Sequence, residues 1–120
     1  MSWEIILAPE AHDWFLGLDD LNASLVRDAV ELLAGRGPAL GRPLADRITG
    51  SRLHNLKELR PGSAGRTEMR ILYIFDTQRR AVLLVAGDKS GSWNRWYGDA
   101  IKLAEDQYAR YLATPPEEIE

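Results

Sequence analysis

Residues 53–91 read LHNLKELRPGSAGRTEMRILYIFDTQRRAVLLVAGDKSG. Three strand-like segments alternate here with polar turns. Leu53 to Arg60 is the first segment, and Pro61 to Gly65 supplies a turn, since Pro and Gly suit the backbone angles of turns. Glu68 to Phe75 follows, rich in Ile, Tyr and Phe, which fit a pleated, half-buried surface. Asp76 to Arg80 is a polar turn, and Ala81 to Ala86 is the third segment. Consecutive strands with short connections pair most simply as an antiparallel meander. Ile71 to Phe75 and Val82 to Val85 are apolar on both faces, which marks them as central strands.

Outward from this stretch the pattern changes. Trp3 to Leu7 is predicted to be a short strand, bounded by Pro9. Ala11, Trp14, Phe15 and Leu18 recur at i, i+3, i+4 and i+7, which predicts a helix, and Pro9 suits its first turn. Asp19-Asp20 breaks that run. Asp20 or Asn22 is expected to cap a second helix, whose apolar face is Leu25, Val26, Ala29, Val30 and Leu33. Gly35, Gly37 and Pro38 end it. So short a link predicts an antiparallel helical hairpin. Residues 36–52 are expected to form a loop pinned by Leu44 and Ile48. After a loop at 87–92, Trp93 to Leu112 is predicted to be helical, with Tyr97, Ile101, Ala104, Tyr108 and Tyr111 on one face. The expected fold class is α+β: a small antiparallel meander sheet, mixed with the N-terminal strand, packed against the helical hairpin, plus a C-terminal helix.

A chain of 120 residues can bury one core. A single domain over 1–113 and a frayed acidic tail over 114–120 are expected. No apolar run approaches the roughly 18 residues of a membrane span, and no secretion signal is evident. Cysteine is absent and the two histidines, His12 and His54, lack ligand spacing. Disulfides and a zinc site are therefore not expected, nor is any cofactor, and a reducing cytoplasm fits. The net charge is −3, yet residues 46–91 hold nine Lys/Arg against five Asp/Glu. A basic segment on an acidic chain points to an anionic ligand, with RNA favoured.

The pieces LHNLKELRPG (53–62), EMRILYIF (68–75) and VLLVAGDKSG (82–91), in that order, resemble the RelE/ParE toxin superfamily and its HigB-like (phage Gp49-like) branch. The helix containing WYGDAIKLAEDQYARYL resembles that family's terminal helix. The likeness covers roughly residues 3 to 112 and implies a RelE-like fold. It also implies a toxin of a type II toxin–antitoxin pair, often a metal-independent endonuclease of ribosome-bound mRNA. The implied partners are mRNA, the ribosome and an antitoxin, in HigB systems often a helix-turn-helix, HigA-like protein. A ParE-like toxin that inhibits gyrase by contact, and an inactive regulatory relative, are the alternatives.

Cleavage through the RNA's own 2′-hydroxyl needs a proton acceptor, a grip on the phosphorane and a proton for the 5′-oxygen. Arg60 and Arg70 match family arginines and are expected near one another across the hairpin, where two guanidiniums can clamp a phosphate. Alternatively they pair with Glu58, Glu68 or Asp76 as sheet salt bridges. Lys89 follows the third strand and can neutralise phosphate or, with a lowered pKa, take a proton. His54 shares strand parity with Arg60 and is the one histidine near the basic segment. Tyr97 can donate a proton or hold phosphate. Trp96 can stack on a base or pack in the core. Arg47, Arg52 and Arg66 would steer RNA from loops. Lys57 is grouped with them, although its parity turns it to the face opposite Arg60. Asp88 is read as a turn residue.

Overall fold

The computed structural model describes residues 2–63, 65–91 and 93–114, excepting the side chain of Trp93. The elements are β1 (Glu4–Leu7), α1 (Pro9–Leu16), α2 (Asp20–Arg36), a 3-10 turn (Gly37–Ala39), β2 (Ala45–Arg47), β3 (Lys57–Leu59), β4 (Met69–Phe75), β5 (Arg80–Asp88) and α3 (Trp93–Ala113). The acidic end of the chain, 115–120, lies outside the described residues.

The five strands form one sheet in the order β1-β5-β4-β3-β2. Strands β3, β4 and β5 make the expected antiparallel meander, and β1 adds to β5 in parallel. The apolar runs in β4 and β5 are explained by their central position. Alternation sends Leu59, Met69, Ile71, Tyr73 and Leu83 to one face, where α1 and α2 contribute Ala11, Val26, Ala29 and Leu33. Leu56, Leu72, Ile74, Val82 and Leu84 face α3 through Ala100 and Ala104. Each fully buried Leu contributes roughly 1.5–3 kcal/mol relative to an exposed one. The resulting α+β architecture is the expected one.

Three local expectations are corrected. Asp19, not Asp20 or Asn22, is the N-cap of α2; its carboxylate accepts the Asn22 N–H at 2.8 Å. The expected loop at 36–52 contains β2, which pairs with β3 at Ala45↔Leu59, Asp46↔Glu58 and Arg47↔Lys57. The first meander strand starts only at Lys57, because His54-Asn55 forms a turn. Leu44 and Ile48 do pin this region, one to each core.

Two glycines meet tryptophans. Gly37 ends α2 at φ 55°, a left-handed conformation that favours glycine, and any Cβ there would collide with the Trp3 indole. At Gly87 in β5 an added Cβ would stand 2.5 Å from Trp96 Nε1, so the indole of α3 lies directly on bare strand backbone. No described helix is long and apolar enough to cross a membrane.

Candidate active site

The site lies on the α3 face of the sheet, where β3, β4, β5 and the first turns of α3 come together. Glu58 shares parity with Leu56, so its side chain points inward, and only 5% of it is exposed. A buried carboxylate needs cations and hydrogen-bond donors. Arg60 Nη2 donates to Glu58 Oε2 at 2.9 Å and to Asp46 Oδ2 at 3.3 Å. It thereby bridges two carboxylates that stand opposite each other on β2 and β3. Tyr97 Oη donates to Glu58 Oε1 at 2.6 Å, and Arg70 Nε lies 3.7 Å from the same oxygen. Arg70 also donates from Nη1 to the Met69 carbonyl at 2.8 Å. Among the described residues, the buried Nε atoms of Arg60 and Arg70 have no hydrogen-bond partner.

Lys89 closes the cluster. It is 2% exposed, and its Nζ stands 5.4 Å above the centre of the Tyr97 ring. Asp88 fixes the turn that carries it, by accepting the backbone N–H groups of Glu68 at 2.9 Å and Ser90 at 3.0 Å. The expected turn role of Asp88 matches this geometry. Arg47, Ile48, Thr49, Glu58, Arg60, Lys89, Tyr97 and Ile101 line a cleft of about 330 Å³. Arg60 also borders a hollow of about 500 Å³ that reaches Arg66 and Arg70.

These surroundings shift the titrating groups. Burial, and then the Arg70 charge, lower the Lys89 pKa, although Glu68 and Glu58 oppose this. Burial first, and then the bond to Glu58, push the Tyr97 phenol up to about 12, so it keeps its proton at neutral pH. Burial opposes the charge on Arg60, but Glu58 and Asp46 outweigh it and raise the pKa. Such a cluster in a cleft is a functional-site signature with a physical cause.

The structure thus gathers Arg60, Arg70, Lys89 and Tyr97 around Glu58, and sets Arg47 on the rim. The other expected residues do not line the cleft. His54 is in an exposed turn rather than on a strand, and it does not line the cleft. Arg52 is tied to Glu105, with Nε–Oε1 at 3.2 Å. Lys57 turns to the opposite sheet face, with Nζ 6.0 Å from the centre of the Phe75 ring. Arg66 is exposed at the hollow that it shares with Arg60 and Arg70. Trp96 packs on Gly87 and edge-on to Tyr97, with ring centres 5.1 Å apart. Among the described residues no His, Asp and Glu group could hold a metal ion.

The family model described as Phage derived protein Gp49-like (DUF891) matches residues 13–109. This chain belongs to the Gp49-like family. Two Mycobacterium tuberculosis (strain ATCC 25618 / H37Rv) relatives are named as candidate toxins. HigB2 is 52% identical over 100 residues, covering 83% of this chain and 50% of HigB2. HigB3 is 43% identical over 110 residues, covering 92% and 94% of the two chains. The Gp49-like chain thus spans about half of the longer relative and nearly all of the other. A mutant of Escherichia coli toxin RelE in the free state superposes with a TM-score of 0.61 at 13% identity, over 85% of this chain and 97% of RelE. That likeness concerns the fold, and the RelE-like architecture expected from the sequence holds.

Glu58 is the residue the sequence reasoning undervalued, since it entered only as a salt-bridge partner. Its parity with Leu56 was a usable signal: a carboxylate on the core-facing side of a strand must collect donors around it.

Proposed function

We propose that this Gp49-like protein is the toxin of a type II toxin–antitoxin pair, and that it cuts ribosome-bound mRNA through the RNA's 2′-hydroxyl. One observation carries this: Arg60, Arg70 and Lys89, far apart along the chain, gather around Glu58 and Tyr97, with Arg60 and Lys89 lining the cleft and Arg70 the hollow that Arg60 also borders. The toxin names of HigB2 and HigB3 support the toxin part of this reading. Salt bridges to Glu58 do form, as the alternative predicted, and Asp46 shares Arg60, yet these two carboxylates face three cations.

In-line attack by the 2′-oxygen makes a crowded, doubly charged phosphorane. Preorganised cations stabilise that charge most where water is scarce. Arg60 and Arg70 present fork-shaped donors to the phosphate oxygens. Lys89, with its lowered pKa, is suited to proton transfer, and the protonated Tyr97 phenol is suited to donation. Arg47 on the rim attracts the strand without reading its sequence. The partners would be mRNA, the ribosome and a cognate antitoxin of the helix-turn-helix, HigA-like kind, in the cytoplasm.

The test is induced expression followed by primer extension of cellular messages. New message ends are expected with the wild-type chain. With Arg70→Ala they should vanish, along with growth inhibition, while the antitoxin is still bound. DNA breaks with intact messages would overturn the nuclease reading in favour of gyrase poisoning.

A further inference from the structure

Neutralising arginines does not explain why Glu58 meets a tyrosine hydroxyl at the wall of the cleft. We propose that Glu58 is the final acceptor of the 2′-hydroxyl proton, which reaches it through the Tyr97 phenol. This rests on the nuclease reading and assigns its proton acceptor.

Three observations carry it. The Tyr97 Oη to Glu58 Oε1 distance is 2.6 Å, a short bond to a carboxylate along which a proton can pass. Both oxygens of the buried Glu58 carboxylate are occupied, Oε2 by Arg60 and Oε1 by the Tyr97 hydroxyl, whereas Tyr97 is half-buried and lines the same cleft, so a ribose reaches Glu58 through the phenol. Arg60 on Oε2 holds the carboxylate in one orientation, with Oε1 left facing Tyr97 and Arg70. The phenol, pushed up to about 12 by burial and then by Glu58, does not ionise unaided near neutrality. It takes up a second proton only by releasing its own.

The step balances as follows. The 2′-oxygen forms its bond to phosphorus as its proton moves to Tyr97 Oη and the phenol's proton moves to Glu58 Oε1. The bond from phosphorus to the 5′-oxygen breaks, and its electron pair stays on that oxygen. The Lys89 ammonium, acidified first by burial and then by Arg70, protonates it. The products are a 2′,3′-cyclic phosphate, a 5′-hydroxyl, protonated Glu58 and neutral Lys89. Exchange with water returns a proton from Glu58 to Lys89. Tyr97 ends as it began.

The experiment is single-turnover cleavage on purified mRNA-programmed ribosomes by the full chain, comparing wild type, Glu58→Gln, Tyr97→Phe and the double variant. Glutamine keeps the shape and a hydrogen bond to the phenol, but it cannot take the proton. Each single change should lower the maximal rate about 10²–10⁴-fold. The half-saturating ribosome concentration should stay level for Tyr97→Phe and stay level or fall for Glu58→Gln, which removes an anion competing with RNA phosphate. The double variant should be within about threefold of the slower single one, since members of a relay fail as a unit. Glu58→Gln within about threefold of wild type, or losses that multiply, would overturn the relay. If Glu58→Gln does not fold, the wild type decides on a message with sulfur in place of the scissile 5′-oxygen, a leaving group needing no protonation. Two protons in flight then give a bowed dependence of rate on the heavy-water fraction, and a straight line overturns the relay. Failure of the nuclease reading is separate: the wild type would leave the ribosome-bound message intact.

Discussion

Helix α3 brings a tyrosine to each of two carboxylates, and the two sites differ in what surrounds the same parts. At one, Tyr111 Oη donates to Asp76 at 2.8 Å and Arg80 Nε donates at 2.6 Å. At the other, Tyr97 and Arg60 donate to Glu58 at 2.6 and 2.9 Å. Tyr97 and Tyr111 are both pushed up to about 12, by burial first and their carboxylate second. A shifted tyrosine therefore does not separate a site from a strut. The surroundings do. Asp76 also accepts the backbone N–H groups of Gln78 and Arg80, so it ties one turn to one helix with one cation. At Glu58, cations arrive from three separate strand ends, and among the described residues the Nε atoms of Arg60 and Arg70 have no hydrogen-bond partner. Local, balanced pairing builds structure; long-range convergence of excess positive charge prepares for an anion.

The sharpest way to break this contrast is to remove cations at each end. Arg60→Ala combined with Arg70→Ala should lower cleavage of ribosome-bound message by about 10³-fold or more. Arg80→Ala should leave the rate per folded molecule unchanged in the same single-turnover assay. Equal losses at both ends would erase the distinction.

The second largest effect is on stability. Asp76→Ala strands Arg80 and the Tyr111 hydroxyl and should cost about 3 kcal/mol. In thermal melts that is a fall in Tm of about 10–20 °C for a domain of this size, with cleavage per folded molecule preserved. A Tm within a few degrees of wild type would mean that the Asp76 end is no strut.

Alkali and acid sharpen the comparison. Tyr111 titrates near 12 when folded against 10 ordinarily, so above pH 10 the unfolded chain loses its proton first. The stability it contributes is intact below pH 10 and is lost as pH climbs toward 12. Denaturant titrations of Tyr111→Phe should show a flatter fall across that window. For Asp76, burial opposes ionisation, but Tyr111, Gln78 and Arg80 outweigh it and lower the pKa below 3.8. Its contribution is present above 3.8 and disappears as pH drops through the lower folded value. Asp76→Asn should accordingly be less sensitive to acid than wild type. The smallest effect belongs to Arg52→Ala, which removes an exposed pair with Glu105 and should cost under about 1 kcal/mol in denaturant melts.

Much of the fold was legible because long elements repeat their signal. The two-sided apolar runs of β4 and β5 and the helical spacing in α3 leave little choice of element. Strand β2 was not legible, since three residues beside Pro43 are too few to show alternation, and its pairing is set by β3 from across the chain. The turn at His54-Asn55 was hidden for a related reason: Leu53 and Leu56 frame it with apolar residues that resemble a strand. At the site, parity sufficed for Arg60 and for the outward turn of Lys57. Lys89 was placed by its position just after β5, but the approach of Tyr97 was not legible, because it depends on how α3 crosses the sheet. Glu58 needed one further step, asking what an inward carboxylate requires.

Gly87 stands opposite Arg70 in the sheet and carries the indole of Trp96, the residue before Tyr97. A single methyl group there would stand 2.5 Å from the ring nitrogen, so the tryptophan would have to lift off the strand. Its neighbour would swing with it, and a separation of 2.6 Å between phenol and carboxylate would not survive. The spacing on which a proton's passage depends is thus set from beneath, by a residue with no side chain at all.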